Sequence, residues 1–230
     1  MDIGKSFTFM FEDPDWLRKL GLGTVVTLAG ILLSPILIGF LAILLIMGYG
    51  LDVLKNVING EERPLPEWED WGGFLARGFK LFAATFVWAL PALILMLPII
   101  FGSVLIDQSD VEGFGALLVT CGSCLCVLWG LFITVLSPAI YIQVARTNSF
   151  TAAFQFAKIW EITRRNIGNV IIAVLLYWVA SFIAAIAAPL GLIALLIGVL
   201  VTMPLASFWA LLVEAHLYGQ VAVASTTPLD

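Results

Sequence analysis

The chain has 230 residues, of which 61% are hydrophobic and only 12% charged. Its mean hydropathy is +1.06. A soluble domain carries roughly 25% charged residues, so this composition excludes a surface that faces water all round, and equally a disordered chain. It implies an integral membrane protein. The formal net charge is −5, and the 11 Lys and Arg are spread along the chain, so the basic patch that nucleic-acid binding needs is missing. Met1-Asp2-Ile3-Gly4-Lys5 lacks the basic, apolar and cleavage regions of a signal peptide. Asp2 stands where myristoylation requires Gly. Insertion is therefore expected to rest on the spans themselves.

Four blocks contain no Asp, Glu, Lys or Arg: Leu20–Leu51, Leu81–Ile106, Gly113–Ala145 and Asn166–Val213. About 20 apolar residues cross a bilayer core as a helix. The first block is either one overlong span or a hairpin split at Ser34-Pro35. Its halves reach spanning length only if Trp16, Arg18, Lys19, Asp52 and Lys55 snorkel to the interface. The second and third blocks each suit one span. The fourth suits two, with a break at Pro189-Leu190-Gly191. The positive-inside rule favours the hairpin for the first block. With about six spans, all 11 basic residues fall on the side of both termini, and the loop Asp107 to Glu112 on the other side is purely acidic. Both termini are expected in the cytoplasm.

An internal repeat underlies this order. Ser6-Phe7-Thr8-Phe9-Met10-Phe11 aligns with Ser149-Phe150-Thr151-Ala152-Ala153-Phe154. Each run leads to a Trp, a basic pair (Arg18-Lys19, Arg164-Arg165) and a new span, and Trp71 to Arg77 is a looser third copy. Ile3, Phe7, Met10 and Phe11 project onto one helical face, as do Phe150, Ala153, Phe154 and Ala157. The expected fold is therefore all-α and polytopic: a single membrane domain, residues 1–230, of three pseudo-repeated hairpins. Each hairpin is preceded by an amphipathic interfacial helix, with units at about 1–60, 61–148 and 149–222 and a short tail at 223–230. The interfacial helices either set topology alone or also meet anionic lipid. Acidic neighbours such as Glu12, Asp13, Glu67 and Asp70 dilute the positive charge.

The candidate sites follow from chemistry and spacing. Cys121, Cys124 and Cys126 form C-x-x-C-x-C, but no fourth soft ligand for a metal lies near in sequence. Gly122, Cys126 and Gly130 recur every four residues as a small-residue stripe for helix contact, and Ala180, Ala184 and Ala188 make a second, facing span six or another protomer. Glu214, His216 and Tyr218 are weak intramembrane polar candidates: Glu214 and Tyr218 share a face, whereas His216 lies on another. A satisfied interfacial pair is the simpler expectation for Glu214 and His216, and a proton relay the alternative. Pro91, Pro98, Pro138 and Pro204 interrupt backbone hydrogen bonding at membrane depth, either as packing kinks or as the broken helices of a transporter. The loop Gly60 to Gly72 is stiffened by Pro64 and Pro66 and carries Trp68 and Trp71 among five carboxylates. These four residues are candidates for partner docking, and an interfacial cap is the other reading.

Two stretches carry a family likeness: Asn56-Val57-Ile58-Asn59-Gly60-Glu61-Glu62-Arg63-Pro64-Leu65-Pro66-Glu67-Trp68-Glu69-Asp70-Trp71-Gly72, and Ala145-Arg146-Thr147-Asn148-Ser149-Phe150-Thr151-Ala152-Ala153-Phe154. With their flanking spans they resemble family 4013 of the domains of unknown function. The resemblance covers nearly the whole chain and implies a prokaryotic, multi-pass helical membrane domain. It supplies no catalytic residue, substrate or cofactor. More distantly, the repeat is similar to the membrane domains that accompany glycerophosphodiester phosphodiesterases, a likeness of fold alone.

No nucleophile–base pair, phosphate loop or zinc-protease helix occurs, and His216 is the lone histidine. The expected function is a non-catalytic scaffold or accessory subunit with no cofactor, embedded in the lipid bilayer with a protein partner or a second copy of itself. The alternative is a transporter or channel for a small or lipidic solute, resting on the proline-broken helices.

Overall fold

The computed structural model describes residues 1–107, 111–194 and 197–226. Among them every element is helical. Asp2 opens α1 (Ile3–Thr8) by accepting the Lys5 N–H at 3.0 Å, and a 3-10 turn, Phe9–Glu12, follows. Next come α2 (Trp16–Leu32) and α3 (Leu37–Ile58). The turn between them is closed by the Leu33 carbonyl, which accepts from Ile36 N–H at 2.9 Å and Gly39 N–H at 3.2 Å. A Cβ on Gly39 would strike the Leu33 and Ser34 backbone. The first apolar block is thus a hairpin.

The second unit comprises α4 (Trp71–Leu95), α5 (Leu97–Ile106) and α6 (Glu112–Thr147). After a 3-10 turn at Phe150–Phe154 come α7 (Phe156–Arg165) and α8 (Ile167–Ala187), a further 3-10 stretch at Ala188–Ala194, and α9 (Ile197–Thr226). The break expected at Pro189 is that 3-10 stretch, where Thr202 Oγ1 donates to the Ala188 carbonyl at 2.6 Å.

Among the described residues five helices are long and apolar enough to cross a membrane, with α4 and α5 forming one such path. The remaining helix, α2, has 17 residues. At about 1.5 Å per residue it is shorter than the roughly 30 Å hydrocarbon core.

Three expectations about the repeat units need correction. No separate interfacial helix precedes α4: Trp71 to Arg77 are its first turns, because Asp70 caps the helix there by accepting the Gly73 N–H at 2.9 Å. The stripe Ile3, Phe7, Met10 and Phe11 does not face one way. Phe9 and Met10 are fully buried, whereas Ile3 and Phe11 are exposed. The chain tightens to a 3-10 turn after Thr8, and a projection at 3.6 residues per turn fails beyond it. Finally, residues 223–226 continue α9 rather than forming a tail; residues 227–230 lie outside the described part, as do residues 108–110 of the acidic loop.

The helices pack unevenly. The large buried side chains Tyr49, Phe74, Leu81, Ile142, Phe208 and Leu217 all lie toward the end that holds the N-terminus, the Gly60–Asp70 loop and the end of α9. Here α3 and α4 cross at glycines: a Cβ on Gly48 would strike the Phe74 carbonyl, and one on Gly78 the Leu44 carbonyl. Such close backbone approach is how small residues serve membrane helices. Toward the opposite end, α5 and the first half of α6 meet each other at Gly102 and Gly115. Otherwise they present Phe101, Phe114, Leu117, Leu125 and Leu128 outward.

Candidate functional site

The polar residues gather at the capped end in two ion-pair groups. Lys19, at the start of α2, is buried, yet its ammonium meets Asp13 Oδ2 at 2.8 Å, Glu67 Oε1 at 2.8 Å and the Leu65 carbonyl at 3.0 Å. All three of its donors are satisfied, as a buried ammonium requires. Burial pushes the Asp13 carboxyl up, but the Lys19 ammonium and the Asp15 N–H outweigh it and hold it below the ordinary carboxylate range. In the second group Arg77 Nη2 lies 2.7 Å from Asp52 and 3.0 Å from Asp70. The Gly73 N–H, and after it Arg77, hold the exposed Asp70 carboxyl low.

These groups explain the proline–tryptophan loop. Trp68 is buried, donates its indole N–H to the Lys19 carbonyl at 3.0 Å and stacks on Tyr49 with ring centroids 4.3 Å apart. Tyr49 donates its hydroxyl to the Pro66 carbonyl at 3.1 Å, and Asn56 Nδ2 donates to the Pro64 carbonyl at 3.0 Å. Pro64 is buried, Pro66 half-buried and Trp71 exposed. The loop is therefore a lid over the bundle end, folded inward. Of the four docking candidates, Pro64 and Trp68 thus have their apolar faces packed inside the protein. The outer side of the loop, Glu61 and Glu62, borders a pocket of about 520 Å³ together with Lys5, His216 and Gln220.

His216 belongs to a separate network that ties the N-terminus to α9. Its Nδ1 meets Ser6 Oγ at 3.0 Å and Gln220 Nε2 at 3.2 Å, and its ring stacks on Phe9 at 4.4 Å. Gln220 also accepts the Asp2 N–H at 2.7 Å and donates to the Asp2 carbonyl at 2.9 Å. Glu214 does not join this network. Two residues along a helix is about 200° of rotation, and Glu214 faces a different set of helices. It borders a cavity of about 40 Å³ together with Met47, Leu81 and Tyr141. Tyr218, one turn on, meets Ser137 Oγ at 3.1 Å.

The structure separates the members of the small-residue stripes. Gly122 faces Ile99 of α5 closely, Cys126 is half-buried, and nothing lies within 4 Å of a Cβ built on Gly130. Ala180 and Ala184 are buried, the latter packed with Ala206 and Ala210 of α9, and Ala188 accepts the Thr202 bond. That stripe thus faces α9 of the same chain. Cys121 and Cys124 are exposed, and all three thiols are free. Pro91, Pro138 and Pro204 lie inside continuous helices, whereas Pro98 follows the α4–α5 break. At Pro138 the carbonyl that loses its helical partner belongs to Thr134, and Ser137 Oγ replaces that bond at 2.9 Å.

Lys19, Asp13, Tyr49 and Ser137 were not singled out from the sequence. Lys19 and Asp13 flank an apolar block as any interfacial charge does, and the loop partners of Lys19 lie 46 residues or more away. Ser137 had one local signal, the Ser-Pro dipeptide inside an apolar run.

Long apolar helices and close glycine crossings fit a helical membrane protein. The chain belongs to the family described as Protein of unknown function (DUF4013), whose model matches residues 30–213. Lys19, Trp16 and the Glu214–Gln220 end of α9 lie outside that match. No curated protein and no solved structure matches the chain.

Proposed function

We propose that this protein is a non-catalytic scaffold or accessory subunit of the prokaryotic cytoplasmic membrane. In this reading it has six spans in three pseudo-repeated hairpins, with α2 as a short sixth crossing. Both termini and the Gly60–Asp70 lid lie in the cytoplasm. That orientation is supported by the bonding of Lys19, Arg77, Lys80 and Arg146 at the end holding both the lid and the end of α9.

The observation that carries the scaffold role is the outer arm formed by α5 and the first half of α6. It packs on itself through Gly102, Gly115 and Gly122 and offers its remaining apolar surface to the membrane. A partner's helix docks there, in place of the inward-folded loop. Purification in mild detergent followed by mass spectrometry tests this. A stoichiometric protein partner is expected, lost in Phe101→Ala with Leu128→Ala while the protein still inserts. Recovery of the wild type without any protein partner contradicts it.

The runner-up is a transporter or channel for a small or lipidic solute, which the cavity beside Glu214 favours. Against it, the carbonyl freed at Pro138 is already satisfied by Ser137 and is not offered to an ion.

A further inference from the structure

We propose that α7 is an interfacial helix that binds anionic phospholipid, with Phe156 and Trp160 among the acyl chains and Lys158 and Arg164 at the headgroup phosphates. The inference rests on the reading of this chain as a membrane protein and is independent of the scaffold role. Three segments of the sequence have the composition of an interfacial helix, and two of them are accounted for without lipid. Trp71 to Arg77 are the first turns of α4, and their Phe74 is buried. In the N-terminal segment Phe9 and Met10 are buried, Phe9 stacks on His216, and Phe7 packs on Trp209. In α7 the arrangement is different. Ile159 and Thr163 are buried, whereas Phe156 rests against Trp88 on one side and stays 62% exposed, and Trp160 is 57% exposed. Phe156, Trp160 and the exposed Arg164 follow one another at four-residue steps, so they share the outer side of the helix.

The charge on α7 fits an anionic partner. Lys158, Glu161, Arg164 and Arg165 are all exposed. Glu161 meets Arg165 at 2.6 Å, and among the described residues Lys158 and Arg164 have no ion pair. The helix thus carries two uncompensated positive charges. Its place in the chain fits as well. Asn166 alone separates α7 from α8, whose Ile167, Ile171 and Leu175 are exposed at the same four-residue spacing. In the membrane reading, α7 therefore lies where that apolar span enters the bilayer, at the headgroups. Aromatic rings of such a helix sit at the acyl boundary, while Lys and Arg stems reach to the phosphates. An acidic loop of a partner protein would meet the charges alone. A bilayer surface with anionic lipid meets the charges and the two rings together.

Native mass spectrometry of the purified protein in mild detergent, titrated with phosphatidylglycerol or phosphatidylcholine, tests this. A Lys or Arg at the surface strengthens binding to anionic lipid about fivefold. The wild type should prefer phosphatidylglycerol, and Lys158→Gln with Arg164→Gln should weaken that lipid about 25-fold while leaving phosphatidylcholine unchanged. Arg63→Gln, which removes an exposed cation among the lid carboxylates, should keep the wild-type preference. Equal retention of the two lipids, or an unchanged preference in the double variant, overturns the proposal. If the double variant does not fold, a wild-type preference that survives about 1 M salt overturns it instead. Displacement of the lipid by soluble glycerol phosphate or by a glutamate-rich peptide makes this a phosphate or protein site and also overturns it. Failure of the wild type to insert into liposomes overturns the membrane reading along with it, whereas insertion without a lipid preference overturns this proposal alone.

Discussion

The two ends of this helical domain are built on the same device and put it to different use. At the capped end, Gly48 and Gly78 bring α3 and α4 into backbone contact, and a core of Tyr49, Phe74, Leu81 and Phe208 fills in around them. At the open end, Gly102 and Gly115 also bring α5 and α6 into close approach, though less tightly, and large apolar residues such as Phe101 and Leu117 stay outside. The difference lies in what covers the crossing. The capped end has the lid loop, α1 and α9 folded over it and fixed by Lys19, Arg77 and His216. Among the described residues, the open end has no such third layer over α5 and α6. Close helix approach therefore makes a core only where polar anchors hold a third layer on top.

The largest effect is expected from breaking the anchor. Lys19→Ala leaves the buried Asp13 unpaired and releases Leu65 and Glu67, at a cost of about 3–5 kcal/mol. Thermal unfolding in detergent should show a clear drop in Tm, with the lid opened to protease. An unchanged Tm would remove Lys19 from its central place. Next is the core crossing. Gly78→Ala places a Cβ against the Leu44 carbonyl, and overpacking of that kind costs about 1–3 kcal/mol. Gly102→Ala makes a milder clash at the open end and should loosen only the arm, read as faster maleimide labelling at Cys121 and Cys124 with little change in Tm.

A smaller effect is expected with acid. The Asp13 carboxyl titrates lower in the folded protein than in the unfolded chain. Its contribution is therefore complete above the ordinary carboxylate range and is lost as pH falls through the depressed value. Acid titration of Tm in the wild type should show a loss that Asp13→Asn lacks. Smallest of all is Gly130→Ala. No atom lies near the new methyl, so the helix gains about 0.5–1 kcal/mol at most. A destabilised Gly130→Ala would mean that a neighbour covers this face.

Much of this architecture was legible in the sequence. The charge-free blocks located the long helices, and Ser34-Pro35 and Pro189-Leu190-Gly191 marked two turns, because proline and glycine act locally. The lid was not legible as a lid. Its two Pro and two Trp mark it as rigid and aromatic, but whether Trp68 points inward depends on Tyr49 and Lys19, which reach it only through the fold. The polar residues of α9 were noticed for a different arrangement. Spacing alone puts Glu214 and His216 on different faces, but it gives neither Ser6 as the partner of His216 nor Ser137 as the partner of Tyr218. The stripe containing Gly130 shows the limit from the other side: a regular four-residue spacing identifies a face without showing that anything packs on it.

The central claim is that the proline–tryptophan loop is an inward lid on the capped end. It is tested most directly by comparing maleimide labelling at two positions of that loop, in a background with Cys121, Cys124 and Cys126 changed to Ser. Leu65 is buried and Glu62 is exposed. A cysteine at Glu62 (Glu62→Cys) should label rapidly, while one at Leu65 (Leu65→Cys) stays protected until Lys19→Ala is added. Equal labelling rates at the two positions in the folded protein would contradict the account.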